Sequence, residues 1–238
     1  MKKIVVTGGS GRFAQALKLV KSNHKFIYPK KKELDILKFE KISKYLNKVK
    51  PDILIHLAGL SRPMNIHNSD IKKSINLNII GTSNITKACE QKNIKLIYFS
   101  TNYVYPGVKG NYKETDPLLP ANNYAWSKLG GECAVQLYKN SLILRVCMTE
   151  KPFVHKEAFI NVKTNFIYHD DVATILLKIL NKKGILNIGG KTQNIFSFAK
   201  RENPKIKKIY YNKKKYRDIP FNSSMNLKKL KKFIKTKL

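Results

Sequence analysis

The sequence is short of acidic residues, cysteine and long apolar runs. Only 15 of its 238 residues are Asp or Glu, and only three are cysteine. No stretch approaches the ~18 consecutive apolar residues that a membrane-spanning helix needs, so we predict no membrane segment. None of the cysteines is spaced as Cys-x-x-Cys, which argues against a cysteine zinc site and a disulfide framework. We therefore expect no metal, and a reducing, cytoplasmic location.

The apolar run near the amino terminus is also short. After Lys2 and Lys3 it holds only Ile4, Val5 and Val6 before the chain reaches Thr7 and glycine. A secretion signal needs an apolar region of roughly 7–15 residues. We therefore expect this run to be a first β-strand rather than a signal.

The scarcity of acids leaves a large positive charge. Against 47 Lys and Arg residues, the 15 acids give a formal net charge of +32. A basic domain is the first sign of a nucleic-acid-binding protein. Here the lysines are spread from Lys2 to Lys237, which is typical of a solvated surface, so we do not expect nucleic acid as a partner. A field of this sign still attracts phosphorylated ligands.

Short β-branched runs alternate with longer segments of helical spacing in the first 145 residues. The runs lie at 3–7, 25–28, 52–57, 94–100 and 141–145, and the helical segments at 12–22, 39–49, 71–91 and 123–138. The 42% apolar composition supplies a core. This alternation predicts an α/β fold, a doubly wound parallel sheet of Rossmann-like type with helices on both faces.

The pattern becomes irregular after residue 145. A helix is predicted over residues 168–180, a strand over 185–188, and a final amphipathic helix from 227 to 234. We therefore predict a dinucleotide-binding domain over residues 1–145. A small, shortened substrate-binding region would follow over 146–238, interleaved with the first domain around 166–190.

A glycine-rich turn follows the first predicted strand and opens the first helix. It reads Thr7-Gly8-Gly9-Ser10-Gly11-Arg12-Phe13-Ala14. Glycines at this point let backbone N–H groups and a helix N-terminus approach a pyrophosphate, which a Cβ would obstruct. Its position between strand and helix predicts a dinucleotide site.

The residues after the second strand indicate which dinucleotide binds. The strand is followed by Tyr28-Pro29-Lys30-Lys31-Lys32, with no acid before Glu33. NAD is held by a carboxylate at this place, whereas cations accept the extra phosphate of NADP. The lysines, with Arg12, favour NADP(H), and NAD(H) is the alternative.

A tyrosine and a lysine lie one helical turn apart at Tyr124 and Lys128. Residues four apart share one face of a helix. A lysine ammonium beside a phenol lowers the pKa of the phenol. We therefore expect Tyr124 to be a proton donor that works near neutral pH.

Together with Ser100-Thr101-Asn102-Tyr103-Val104-Tyr105-Pro106-Gly107, these motifs resemble the extended short-chain dehydrogenase/reductases. Within that family they are most similar to the dTDP-4-dehydrorhamnose reductases and related nucleotide-sugar reductases. An acid is usual at the position of Asn102. The resemblance covers most of residues 3–190.

The resemblance implies a catalytic trio. Tyr124 would protonate the keto oxygen, Lys128 would hold the nicotinamide ribose, and Thr101 would hydrogen-bond the same keto oxygen. It also implies cofactor contacts at Gly8, Ser10, Gly11, Arg12, Phe13, Lys30, Lys31, Asp35, Ile36, Ala58 and Gly59, besides Tyr124 and Lys128. Substrate contacts are expected at Arg62, Asn102, Tyr103, Arg145 and Lys151.

The function that this resemblance implies is an NADP(H)-dependent reductase of a nucleotide-linked 4-keto sugar in surface-polysaccharide precursor synthesis. A nucleotide-sugar epimerase or dehydratase is an alternative, as is a non-catalytic dinucleotide-binding regulatory subunit. The region after residue 145 is short for the family, so the pocket is expected to be small, open or completed by a second subunit. A homodimer is therefore one of the options.

Overall fold

A six-stranded parallel sheet forms the centre of the protein in the computed structural model, which describes residues 1–234. Its strands are β1 (Lys3–Thr7), β2 (Lys25–Ile27), β3 (Ile53–His56), β4 (Lys95–Thr101), β5 (Ser141–Val146) and β10 (Gly184–Ile188). From one edge of the sheet to the other, their order is β10-β5-β4-β3-β1-β2. All neighbouring strands pair in parallel. The predicted α/β fold class is confirmed.

Helices cover both faces of this sheet, because its central strands are apolar on both sides. One face packs against α1 (Arg12–Leu19), α7 (His169–Ile179) and α9 (Lys228–Ile234). The other packs against α2 (Phe39–Val49), α5 (Gly81–Gln91) and α6 (Asn123–Gln136). Every residue of β3, β4 and β5 is buried.

The helix predicted over residues 71–91 is divided into segments. The short α3 (Ile66–Ser69) precedes α4 (Ile71–Ser74), a π-helical segment follows over Ile75–Ile80, and α5 completes the run. A π-helical turn is rare and often lies at a functional site. Sequence periodicity does not distinguish it from an α-helix, and this accounts for the difference.

The carboxyl-terminal region is built from short elements around an aromatic cluster. They are β6 (Met148–Thr149), β7 (Glu157–Phe159), β8 (Lys163–Thr164), β9 (Ile167–Tyr168), β11 (Gln193–Asn194), α8 (Ile195–Ala199) and β12 (Lys207–Ile209). The cluster includes Phe153, Phe196 and Phe198, all buried. Residues 235–238, the end of the predicted second region, lie outside the described residues. Within residues 1–234, no helix is both long and apolar enough to span a membrane.

Candidate functional site

A cavity of about 1290 Å³ opens at the carboxyl ends of β1, β3 and β4. Its far wall comes from residues 146–169 and 207–219 of the carboxyl-terminal region. In open parallel sheets, ligands bind where the strand order reverses. That point lies between β1 and β3 in this sheet. The cavity is therefore the candidate ligand site.

The turn after β1 lies against the loop after β3 because residue 8 is glycine. Gly8 has a φ of +71°, and a Cβ there would lie 2.6 Å from the Ala58 backbone nitrogen. The Thr7 hydroxyl accepts hydrogen bonds from the N–H groups of Leu57 and Ala58, each at 3.2 Å. The two loops are thus held together at the switch point.

The first helix presents free N–H groups beside this turn. Helix α1 begins after Gly11 with no side-chain cap and no acid in its first turn. Gly8, Gly11, Arg12 and Phe13 all line the cavity. A helix N-terminus carries a partial positive charge and binds phosphate groups. These residues therefore fit the pyrophosphate of a dinucleotide.

Thr101, Tyr124 and Lys128 line the same cavity. Thr101 is the last residue of β4, and the other two lie one turn apart near the start of α6. The Asn122 side chain caps α6 by accepting a hydrogen bond from the Ala125 N–H at 2.9 Å. Strand and helix thus bring the three predicted catalytic side chains to one cavity.

The pKa shifts in this group correct one expectation. Burial raises the pKa of Tyr124, and a hydrogen bond with Thr101 and the charge of Arg62 oppose the rise. Burial lowers the pKa of Lys128 to about 7, with Glu132 opposing. The expectation that the site lowers the pKa of Tyr124 is therefore wrong, because burial outweighs the neighbouring groups. The phenol stays protonated at neutral pH, which is the form that a proton donor needs.

Two side chains outside the predicted catalytic, cofactor and substrate residues hold this part of α6. Asn78, in the π-helical segment, donates to the Leu60 carbonyl and to Ser127 Oγ, both at 2.8 Å. The His67 ring lies edge-on to the Tyr124 ring, with centroids 5.2 Å apart. Both contacts depend on segments distant in sequence.

A third residue outside those predicted sets, Glu150, binds two arginines inside the cavity. Its Oε1 atom lies 2.9 Å from Nη1 of Arg12 and 2.9 Å from Nη1 of Arg62. All three residues line the cavity. Arg62 was predicted as a substrate contact, and the structure places it here beside the glycine-rich turn.

The other predicted cofactor contacts fall into two groups. Gly59 lines the cavity. Among the described residues, six do not belong to its lining: Ser10, Lys30, Lys31, Asp35, Ile36 and Ala58. The two lysines are exposed beyond β2. The roles of these six residues stay predictions.

Arg145 does not reach the cavity, which corrects its expected role as a substrate contact. Its side chain is 3% exposed and donates from Nη2 to Glu132 Oε1 at 2.6 Å. Nη1 donates to the Tyr105 hydroxyl at 2.8 Å and to the Glu114 carbonyl at 3.0 Å. A buried guanidinium needs such partners. Arg145 therefore joins β5 to α6 in the core.

Lys151 also lies outside the cavity lining. Its Nζ pairs with Glu202 at 3.7 Å and lies 5.5 Å from the centroid of the Tyr168 ring. The side chain is exposed. Its role as a substrate contact stays a prediction.

Asn102 and Tyr103 do line the cavity, but Asn102 is already engaged. Its Nδ2 donates to Ser223 Oγ at 2.9 Å and to Thr164 Oγ1 at 3.3 Å. Asn102 stands where an acid is usual in the family. Its hydrogen bonds join the end of β4 to the carboxyl-terminal region. Tyr103 is the better placed of the two for a ligand, and its burial raises its pKa.

A doubly wound parallel sheet whose glycine-rich turn faces a Thr–Tyr–Lys group across one cavity defines the extended short-chain dehydrogenase/reductase class. Comparison with known families makes the assignment more specific. A family model described as the RmlD substrate binding domain matches residues 1–156. The chain belongs to this family.

Curated relatives and solved structures agree with this assignment. The chain is 29% identical over 154 residues to dTDP-4-dehydrorhamnose reductase of Aggregatibacter actinomycetemcomitans, covering 63% of this chain and 52% of that protein. It is 30% identical over 156 residues to methionine adenosyltransferase 2 subunit beta of Xenopus tropicalis, covering 61% and 46%. The chain spans about half the length of the curated relatives it matches.

A solved structure extends the likeness over the whole fold. The crystal structure of dTDP-4-dehydrorhamnose reductase from Bacillus anthracis in complex with NADP superposes with a TM-score of 0.86. The superposition covers 97% of this chain and 92% of that one, at 21% identity. The carboxyl-terminal region, although irregular in sequence, therefore follows the same fold.

Proposed function

We propose that this protein is an NADP(H)-dependent reductase of a nucleotide-linked 4-keto sugar in the synthesis of surface-polysaccharide precursors. The observation that carries the proposal is the position of Thr101, Tyr124 and Lys128 in the cavity that the glycine-rich turn also lines. A binding protein has no need of this trio beside a dinucleotide turn. The matching relative from Aggregatibacter is a reductase of this kind by name.

In the proposed reaction the protein supplies a proton and stabilises charge. A reduced nicotinamide held beside these residues would supply the hydride that reduces the keto carbon. Tyr124 gives its hydroxyl proton to the keto oxygen, and Thr101 donates a hydrogen bond to that oxygen as negative charge develops on it. Lys128 would hold the ribose next to the nicotinamide. Its charged form would also stabilise the negative charge that Tyr124 carries once it has given up its proton.

The preference for NADP(H) is supported by charge beyond β2. No carboxylate lies in the chain between that strand and Glu33, and the exposed Lys30 and Lys31 lie there. The Glu33 carboxylate accepts a hydrogen bond from the Lys30 backbone N–H at 2.8 Å. The Bacillus anthracis reductase was crystallised with NADP.

The proposal is tested by NADPH oxidation with a panel of 4-keto nucleotide sugars. Turnover is expected for the wild type, and Tyr124→Phe should reduce it about 10²- to 10⁴-fold because the proton donor is lost. Binding of NADPH, measured by calorimetry, should persist in that variant. Tyr210→Phe is the matched control, since Tyr210 is 69% exposed and lies outside the cavity lining. Equal turnover in wild type and Tyr124→Phe would refute the assignment.

A second candidate function is a regulatory subunit that binds a dinucleotide without turnover. The 30% identity to methionine adenosyltransferase 2 subunit beta favours it. In that case NADPH binds, no sugar nucleotide is reduced, and an enzyme that co-purifies with the chain changes its activity. The same NADPH assay separates the two functions.

A further inference from the structure

Glu150 links two arginines that come from different loops of the cavity. Arg12 lies at the start of α1, Arg62 lies in the loop after β3, and Glu150 directly follows β6. The two guanidinium groups approach one carboxylate oxygen, Oε1, at 2.9 Å each. Oε1 of Glu150, in the far wall of the cavity, thus connects the loop after β1 with the loop after β3.

This bridge is charged and within reach of a ligand. Burial disfavours the charged form of Glu150. Its own backbone N–H and the charges of Arg62 and Arg12 outweigh that effect, so its net pKa is lowered. The side chains of Arg12 and Arg62 are 51% and 37% exposed. The Glu150 side chain is only 16% exposed, but both arginines are open to solvent, which weakens the two ion pairs, so another anion can replace the carboxylate.

A diphosphate suits these two arginines better than one carboxylate oxygen does. A guanidinium group donates two parallel hydrogen bonds when it meets a phosphate. In the bridge, both groups share the same acceptor atom. A diphosphate offers separate oxygens to each, and it would lie beside the uncapped N-terminus of α1.

We propose that Glu150 is an internal competitor, which occupies Arg12 and Arg62 until a ligand carrying a diphosphate group replaces it. The inference rests on the proposed function, because a dinucleotide and a nucleotide-linked sugar both carry that group. A ligand without a diphosphate leaves the bridge in place and gains nothing from the two arginines. Glu150 thereby lowers the affinity for ligands that carry a diphosphate and leaves the affinity for ligands without one unchanged.

The test is equilibrium binding by calorimetry, with no turnover required. The probes are NADPH, thymidine diphosphate and, as the ligand without phosphate, thymidine. Glu150→Gln should tighten binding of a diphosphate probe about three- to tenfold, since the carboxylate no longer competes for the arginines. Thymidine binding should not change. Tightening for NADPH identifies the dinucleotide as the ligand that replaces Glu150, and tightening for thymidine diphosphate identifies the substrate.

Glu202→Gln is the matched control, because it removes an equal charge from the Lys151 pair outside the cavity lining. The inference is overturned if neither diphosphate probe binds more tightly to Glu150→Gln, or if thymidine or the control variant shows the same gain. Glu150→Asp withdraws the carboxylate by one methylene and should change affinity in the same direction, should the Gln variant not fold. If the wild type oxidises no NADPH with any nucleotide sugar, the reductase proposal is contradicted. The binding result for Glu150→Gln is not affected by that outcome.

Discussion

The pair formed by Arg145 and Glu132 should dominate the stability of the helix that carries the candidate catalytic residues. The two side chains are only 3% and 4% exposed, and they join β5 to α6. Tyr124 and Lys128 lie on the same helix, within its first two turns. We consider Glu132→Leu, Arg145→Met and the double variant, which replace the charges by apolar groups of similar volume.

Removing one partner leaves a buried charge without compensation. Such a loss costs about 3–5 kcal/mol, whereas replacing both partners is often neutral. A loss of about 3–5 kcal/mol is a large fraction of a typical folding free energy of about 5–15 kcal/mol. The two single variants should also differ with pH. A buried carboxylate left alone can take up a proton, but a guanidinium cannot lose one, so only the cost of Arg145→Met should fall as the pH is lowered.

The measurement is urea unfolding followed by far-UV circular dichroism, at pH 7 and at pH 5, with the free energy taken from the midpoint and slope. Each single variant should lose about 3–5 kcal/mol at pH 7, and the double variant should lose less than either. Single losses below about 1 kcal/mol would refute the reasoning, as would a double variant that loses the sum of both.

Two further predictions follow from the same structure. Gly8→Ala should lower the free energy of unfolding by about 1–3 kcal/mol and weaken NADPH binding, because its Cβ would meet the Ala58 nitrogen at 2.6 Å. Gly184→Ala is the control, since Gly184 has a similar φ of +84° with no atom within 4 Å of the added Cβ; equal losses of NADPH affinity in both variants would contradict the explanation. Lys128→Met should raise the free energy of unfolding at pH 7 by about 2–4 kcal/mol, because burial lowers the pKa of Lys128 from 10.5 to about 7 and folding therefore releases a proton. The wild type should gain stability between pH 7 and about 10, because the unfolded lysine also loses its proton over that range. The difference in urea midpoint between the wild type and Lys128→Met should therefore shrink. A constant difference would contradict the lowered pKa of Lys128.

Local patterns were sufficient to predict the sheet, the glycine-rich turn and the helix that carries Tyr124. The runs at β1, β3, β4 and β5 are apolar on both sides, and such runs occur in buried parallel strands. Gly8 lies directly after the first of them, so its role follows from neighbouring residues alone. The predicted helix over residues 227–234 also agrees with α9.

The residues that sequence analysis missed or misplaced are those whose partners are far away in the chain. Arg145 lies next to the end of β5, where an anion contact is plausible, and nothing near it in sequence indicates that Glu132 neutralises it. Glu150 lies in an irregular segment, yet it contacts Arg12 across 138 positions of sequence. Asn102 resembles a ligand contact in its motif, but Ser223, 121 residues later, occupies its amide. Such contacts depend on tertiary packing, which has no periodic signal.

The path of the chain around the cavity has a mechanical consequence. After β5 the chain leaves the sheet, builds the part of the far wall over residues 146–169, and returns as β10 to pair with β5 through five registered residue pairs from Gly184–Leu142 to Ile188–Val146. This part of the wall is therefore anchored at both ends to the central sheet. A truncation after residue 183 would remove β10 and the second part of the wall, uncover the edge of β5, and release residues 146–169 at one end.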